Sequence, residues 1–298
     1  MNRVYVSNSL LYYDVFKTGK RTIFSPCSYL KDIQKQILSF IKLVYKVKLN
    51  TKEAALIHCD KKWLLKIDIS KFYESFSEEL IKQTINRICE NIPFPDNYDS
   101  KYIYQICTFD DKLPTGAITS AHIANIAFDF TGIDSELAIF CKKMGINYSR
   151  YMDDMFFSSD YKAKLQSVER VAATLLKRFG FSINKEKTKY ISNNKPQKIL
   201  GLLVNNKKEV KIPQNQKHKY RSIIFNYLKS IYIEERLGMN ALFNKKIELK
   251  EIVGYISYIK SVDMEYYQKI KKYIYSKIKK FGLYHNEEIQ KLIKVLKH

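Results

Sequence analysis

No run of apolar residues in this sequence approaches the ~18 that a membrane-spanning helix needs, so no membrane role is expected. The first residues, Met1-Asn2-Arg3-Val4-Tyr5-Val6-Ser7-Asn8, lack the apolar core of a secretory leader. Cysteine is sparse. The five cysteines, at 27, 59, 89, 107 and 141, form no Cys-x-x-Cys pair and no disulfide-like spacing, so reduced thiols in a cytoplasmic protein are expected. Repeats and low-complexity linkers are missing too, and Asn91-Ile92-Pro93-Phe94-Pro95-Asp96-Asn97-Tyr98 reads as a loop between helices. Acidic residues are outnumbered, 30 against 52 lysines and arginines, which gives a formal charge of +22. That surplus suits a polyanionic partner bound with salt-dependent affinity, although lysine also serves solubility. The 23 tyrosines and 17 phenylalanines fit base stacking or a core equally well. With 298 residues and 46% hydrophobic content, the chain can bury a real core as one body with subdomains.

Among the few acidic residues, Asp153 and Asp154 stand together in Tyr151-Met152-Asp153-Asp154. Ile146 and Tyr148 before them, and Phe156 and Phe157 after them, suggest two strands with the doublet at a tight hairpin turn. Neighbouring side chains on a strand face opposite ways, so a turn is needed for both carboxylates to approach one cation. A hard divalent ion takes one or two such carboxylates and completes its shell with substrate phosphates. A solvated acidic turn would show the same doublet. The upstream candidate that breaks this tie is Asp68, in Trp63-Leu64-Leu65-Lys66-Ile67-Asp68-Ile69-Ser70-Lys71-Phe72-Tyr73. Its apolar run predicts a buried central strand, where a carboxylate is costly unless a metal or a partner compensates. The alternative is a capping role, which Ser70 or Ser77 fills equally well.

The order of these segments resembles that of reverse transcriptases. Lys66-Ile67-Asp68-Ile69-Ser70-Lys71-Phe72-Tyr73 is similar to motif A, Leu113-Pro114-Thr115-Gly116-Ala117 through Asn125 to motif B, Arg150-Tyr151-Met152-Asp153-Asp154 to motif C, and Phe179-Gly180-Phe181 through Thr188 to motif D. Bacterial retron enzymes are the most similar branch. Ile199-Leu200-Gly201-Leu202-Leu203-Val204-Asn205 resembles a retron segment, with Leu200 in place of its Thr, and Glu251 to Asp263 resembles a retron thumb helix. Lys20 to Cys27, with Leu30 to Gln34, resembles retron fingers, so the likeness runs from about Lys17 to Gly282. Departures are Met152, where retrons usually have Ala, Thr115 and Ile118 in motif B, and a degenerate Asn-Ala-x-x-His segment within Asn50 to His58.

The resemblance implies an RNA-directed DNA polymerase in which Asp68, Asp153 and Asp154 hold two Mg²⁺ ions, with Mn²⁺ as a substitute. It further implies an oxygen ligand from the Ile69 carbonyl, neutralisation of the triphosphate by Arg21 and Lys20, and a proton for the leaving pyrophosphate from Lys187. Tyr73 would exclude a ribose 2′-hydroxyl, and Thr115 and Gly116 would approach the incoming nucleotide. His122 and Asn125, three residues apart, are expected to pack and cap. The implied partners are dNTPs, a structured non-coding RNA serving as template and primer, the RNA–DNA hybrid, and a separate effector protein in antiphage defence. A defence reverse transcriptase outside the retrons is the nearest alternative. A non-catalytic RNA-binding protein would leave three carboxylates unexplained, and Tyr73 argues against an RNA-dependent RNA polymerase.

Periodicity supplies the architecture. Helical stripes cover Leu30 to Val44, Ser77 to Glu90, Ser120 to Phe140 as one long helix, and Val168 to Phe179, with Gly180 as a C-cap. Lys198 to Val204 and Glu209 to Ile212 read as a hairpin turning at Asn205-Asn206, and the chain is helical and basic from Gln214. The expected fold is α+β, a right-hand polymerase with fingers, a palm of mixed sheet plus helices, and a helical thumb. Residues 1–212 would form fingers (about 1–62 and 76–112) and palm (about 63–75 and 113–212), and 213–298 the basic thumb.

Overall fold

The computed structural model describes residues 2–6, 10–19, 21–45, 50–205, 209–237 and 247–297. The chain divides into two compact units, Met1–Lys195 and Pro196–His298.

The first unit opens with an antiparallel sheet of β1 (Asn2–Tyr5), β2 (Tyr12–Thr18) and β3 (Arg21–Pro26), in that order. Helix α1 (Ser28–Val44) follows, and its stripe of Leu30, Ile33, Ile37 and Ile41 is buried, as the spacing predicts. Buried Gln34 satisfies its polar atoms across the fold: its amide N–H groups donate to the Tyr13 hydroxyl (2.8 Å) and the Ile106 carbonyl (3.0 Å). Its side-chain oxygen accepts from the Ile118 backbone N–H (3.2 Å). Helix α2 (Thr51–Leu56) begins with a capping box between Asn50 and Glu53. After β4 (Trp63–Asp68) come α3 (Glu78–Asn91), capped by Ser77, and α4 (Ser100–Cys107), capped by Asp99. Phe72, Phe76, Phe128 and Phe181 cluster behind the segment that follows β4, with Phe76 edge to face against Phe72 and Phe181. Each is almost fully buried, and burial of such a ring stabilises by roughly 1.5–3 kcal/mol.

The expected single helix from Ser120 to Phe140 is two, α5 (Ser120–Phe130) and α6 (Ile133–Met144). Gly132, at φ +73°, breaks them, but apolar residues continue on both sides, so the pattern hides the break. Strands β5 (Asn147–Tyr151) and β6 (Asp154–Ser159) form the expected hairpin. Helix α7 (Lys162–Arg178) starts six residues before the expected Val168, and Leu165, one turn ahead of Val168, already belongs to its buried stripe. With β7 (Lys189–Ser192) the second sheet has the order β5-β6-β4-β7, all neighbours antiparallel. Strands β4 and β6 are central, which is why their residues are apolar on both faces.

In the second unit, β8 (Lys198–Ile199) and β9 (Leu202–Leu203) pair through a tight turn at Leu200 and Gly201, both at positive φ. Leu203 also bridges to Lys211, as the expected 198–212 hairpin requires, while the proposed turn includes Asn206, outside the described residues. Among the described residues, four helices complete the unit: α8 (Gln214–Leu237), α9 (Leu249–Val262), α10 (Met264–Phe281) and α11 (Glu287–Lys297). Ile252, Ile256, Ile259, Ile270, Ile274 and Ile278 fill its core at helical spacing. The boundary expected at 212/213 lies inside this unit.

Candidate active site

Sheet register brings the three sequence-predicted aspartates to one end of the second sheet. Asp68, the last residue of β4, pairs with Asp154, the first of β6. The next residue seals the contact: the Ile69 N–H donates to the Asp153 carbonyl at 2.9 Å. A two-residue loop, Met152-Asp153, joins β5 to β6. Met152 sits at φ +57°, which costs a non-glycine residue on the order of 1–2 kcal/mol, and such strain concentrates at functional sites.

The motif D segment docks against the other side of β4. The Ser70 N–H donates to Ser182 O (2.8 Å) and the Asn184 N–H to Asp68 O (2.8 Å), flanking a bridge between Ile69 and Ile183. Ile69 therefore lies between the Ser182–Asn184 segment and the Met152-Asp153 turn. Asn184 also accepts from the Lys187 N–H at 3.2 Å, which folds Lys187 back toward β4. The Lys187 ammonium then reaches both oxygens of Asp68, at 2.9 and 3.2 Å. Asp68 itself is 6% exposed.

Lys66 was missed in the sequence. Its ammonium lies 2.9 Å from the Asp154 carboxylate. The signal was available, because residues 66 and 68 are two apart on a strand and share a face. A lysine inside an apolar run simply looks like a solvent-reaching side chain.

Burial raises the Asp153 pKa, and the neighbouring charges of Asp154 and Asp68 push it further, against the opposing pull of Arg21 and its own backbone. Burial also raises the Tyr73 hydroxyl, with Asp153 adding to the effect and Arg21 opposing it. Arg21, Tyr73 and Asp153 thus share one electrostatic neighbourhood. Thr115 and Gly116 approach the same β3 strand. The Phe24 N–H donates to Thr115 O (2.8 Å), and a Cβ on Gly116 would lie 2.8 Å from Phe24 O. Gly116, at φ +110°, makes room for the backbone of β3, a use the sequence did not suggest. Lys20 lies outside the described residues.

The donor set fits a hard divalent cation: carboxylate oxygens, partly buried, whose mutual repulsion a cation would relieve. Among the described residues no three Asp, Glu, His or Cys side chains form a preformed metal cage. Open coordination completed by substrate phosphates is the mode such ions favour.

Two further polar residues support the hairpin. Buried His58 bridges Ser158 Oγ (2.7 Å) and Ser149 Oγ (2.9 Å), tying α2's C-terminal end to both strands, and burial pushes its imidazole down to about 3. Burial there favours the neutral ring. Arg150, noted in the sequence only as part of motif C, donates to Asp134, Asn125 and the Met152 carbonyl. Asn125, expected to pack or cap, accepts this hydrogen bond, and with His122 it lines a cavity of about 680 Å³ beside Tyr151 and Met152.

Residues 14–204 match the family described as reverse transcriptase (RNA-dependent DNA polymerase). The chain is similar to the retron Ec83 reverse transcriptase of Escherichia coli, with 28% identity across 66% of this chain and 69% of that one. It is also similar to the retron Ec73 reverse transcriptase of the same species, with 27% identity across 91% of this chain and 88% of that one. The fold is similar to that of apo telomerase from Candida tropicalis, with a TM-score of 0.50 and 13% identity over 96% of this chain and 71% of that one. The chain belongs to the reverse transcriptase (RNA-dependent DNA polymerase) family, is of the bacterial retron type, and is by family an RNA-directed DNA polymerase.

Proposed function

We propose that this chain copies RNA into DNA by two-metal nucleotidyl transfer, as a retron reverse transcriptase that makes RNA-linked single-stranded DNA in antiphage defence. The observation that carries the catalytic part is the Asp68–Asp154 register with the Ile69-to-Asp153 hydrogen bond. Asp68 and Asp153, with Asp154 beside them, would hold two Mg²⁺ ions, or Mn²⁺, which activate a primer 3′-hydroxyl and neutralise the leaving pyrophosphate. The Ile69 carbonyl is the proposed additional oxygen. The Lys187 Nζ lies 2.9 Å from Asp68 Oδ1, and Lys187 is the proposed donor to the departing pyrophosphate. Arg21 meets the triphosphate charge from β3, and the Thr115–Gly116 loop sets the position of that strand. Tyr73 occupies the space of a ribose 2′-hydroxyl and so selects dNTPs.

The reading extends to the rest of the chain. Residues up to 212 act as fingers and palm, and the basic helices from 213 onward act as the thumb. That thumb tracks an A-like RNA–DNA hybrid by shape and phosphate contacts. The template and primer are one structured non-coding RNA, and a separate effector protein carries out the defence output. No helix among the described residues is long and apolar enough to cross a membrane.

Primer extension on an RNA template tests the proposal. The doubly substituted chain Asp153→Asn, Asp154→Asn should lose extension and keep RNA binding, and retained extension would refute the catalytic assignment. Tyr73→Ala should raise ribonucleotide incorporation in the same assay. Sequencing the nucleic acid that copurifies separates retron from non-retron defence enzymes: DNA joined to RNA supports the retron reading, and free cDNA alone supports the other.

A further inference from the structure

We infer that Arg150 is a positioning residue for the polymerase reaction, holding the strained Met152–Asp153 turn in shape by fastening it to α5 and α6. The inference rests on the reading of Asp153 as a catalytic carboxylate. Arg150 lies on β5, two residues before Met152, and its side chain is 7% exposed. One arm, Nη1, donates to the Met152 carbonyl (3.0 Å) and to Asn125 Oδ1 on α5 (2.9 Å). The other edge grips Asp134 on α6: Nε donates to Oδ1 (3.0 Å) and Oδ2 (2.9 Å), and Nη2 donates to Oδ2 (2.7 Å). Asp129 stands 3.5 Å from Nη2, and the guanidinium lies 4.3 Å from the centroid of the Phe128 ring.

The geometry of the turn shows what this grip does. Methionine has no intrinsic preference for a φ of +57°, so the surrounding structure must supply the energy that keeps Met152 there. The Met152 carbonyl belongs to the peptide plane directly before Asp153. Fixing that oxygen fixes the plane from which the Asp153 side chain projects. A planar fork with five N–H donors can hold Asp134, Asn125 and the turn simultaneously. A lysine ammonium carries three donors at one point and cannot span these positions. If Arg150 served only to bury Asp134, the donors spent on the turn and on Asn125 would have no purpose. Asp134 already accepts from the Tyr148 hydroxyl on the same strand.

The test is steady-state primer extension by the full chain on an RNA template, with RNA binding and thermal melting measured in parallel. Arg150→Lys should lower kcat about 10²-fold, the scale expected when reacting groups shift by ~1 Å, while the KM for dNTP and the RNA affinity stay near wild type. Adding Met152→Gly to Arg150→Lys should restore kcat several-fold, because glycine takes a positive φ without steric cost. Asn125→Ala, which leaves the Asp134 grip intact, should lower kcat by a smaller factor and decides the matter if Arg150→Lys does not fold. Unchanged kcat in Arg150→Lys, or in Asn125→Ala where that variant must decide, overturns the inference. So does a parallel loss of kcat, RNA affinity and melting temperature that Met152→Gly fails to relieve. Failure of the underlying reading looks different: Asp153→Asn would then extend primers at the wild-type rate.

Discussion

Asp68, at the end of β4 in the first unit, and Asp263, just ahead of α10 in the second, are both buried aspartates, 6% and 1% exposed. Their surroundings differ in kind. Asp263 is held by fixed donors: the Tyr266 N–H at 3.0 Å, the Ile212 N–H at 3.1 Å, and Lys217 at 2.8 Å with its side chain mostly covered. Asp68 is met by Lys187, whose side chain is half exposed, and it stands across from the like-charged Asp154. Backbone donors cannot leave, so Asp263 caps a helix and ties it to the chain 51 residues upstream. An ammonium on a flexible stem leaves readily, so Asp68 can exchange its partner for a cation or a substrate. The contrast separates a carboxylate tied to the fold by backbone donors from one free to take up the proposed chemistry, although burial alone ranks them together.

The sharpest way to break this comparison is to neutralise each aspartate and ask what is lost. Asp68→Asn should reduce primer extension by about 10³-fold or more, because several kcal/mol of charge stabilisation depends on such ligands. Its unfolding free energy should stay within about 1 kcal/mol of wild type, since Lys187 can return to water. Urea unfolding beside the extension assay would show this. A large stability loss with retained extension would place Asp68 in the structural class.

Asp263→Ala should do the reverse. It removes a helix cap and one partner of a buried ion pair, and it leaves the Ile212 N–H without that acceptor. A stability loss of about 3–5 kcal/mol follows, seen as faster hydrogen exchange along α10. At low temperature, where the chain stays folded, catalytic turnover on a bound primer should remain. An unchanged exchange pattern would remove Asp263 from the structural class.

The two aspartates also mark how far the sequence could be read. The first was legible because local rules point to it: an apolar run makes a central strand, and a carboxylate inside one demands compensation. The hairpin was legible for a similar reason, since aromatic strands on either side of Asp153-Asp154 suggest a turn, though the turn falls at Met152-Asp153 and Asp154 already opens β6. Asp263 was visible only as part of a segment resembling a retron thumb helix, because its donors come from Ile212 and Lys217, which only folding brings near. Arg150 shows the same limit, with partners on α5 and α6 that lie 16 to 25 residues upstream. The break at Gly132 stayed hidden because the apolar pattern runs straight through it.

The smallest expected effect is in acid, and there the two sites should pull in opposite directions. Burial raises the Asp263 pKa, but Lys217 and the N–H groups of Tyr266 and Ile212 outweigh it, leaving the group below the ordinary value of 3.8. Its stabilising contribution is therefore complete above pH 3.8 and disappears as the pH falls through the lowered folded value. Asp153 behaves inversely, because burial and then Asp154 and Asp68 place its folded pKa above 3.8. Its charge costs stability above the raised value, and that cost is relieved as the pH falls toward 3.8. Hydrogen exchange in metal-free buffer, stepped from neutral to about pH 3, resolves both segments. Protection at the β5–β6 turn should rise slightly in mild acid, and protection at the start of α10 should fall only below pH 3.8. Asp153→Asn should remove the first change and leave the second. If wild-type α10 instead loses protection well above pH 3.8, the fixed donors do not hold Asp263 as described, and the distinction between the two aspartates fails.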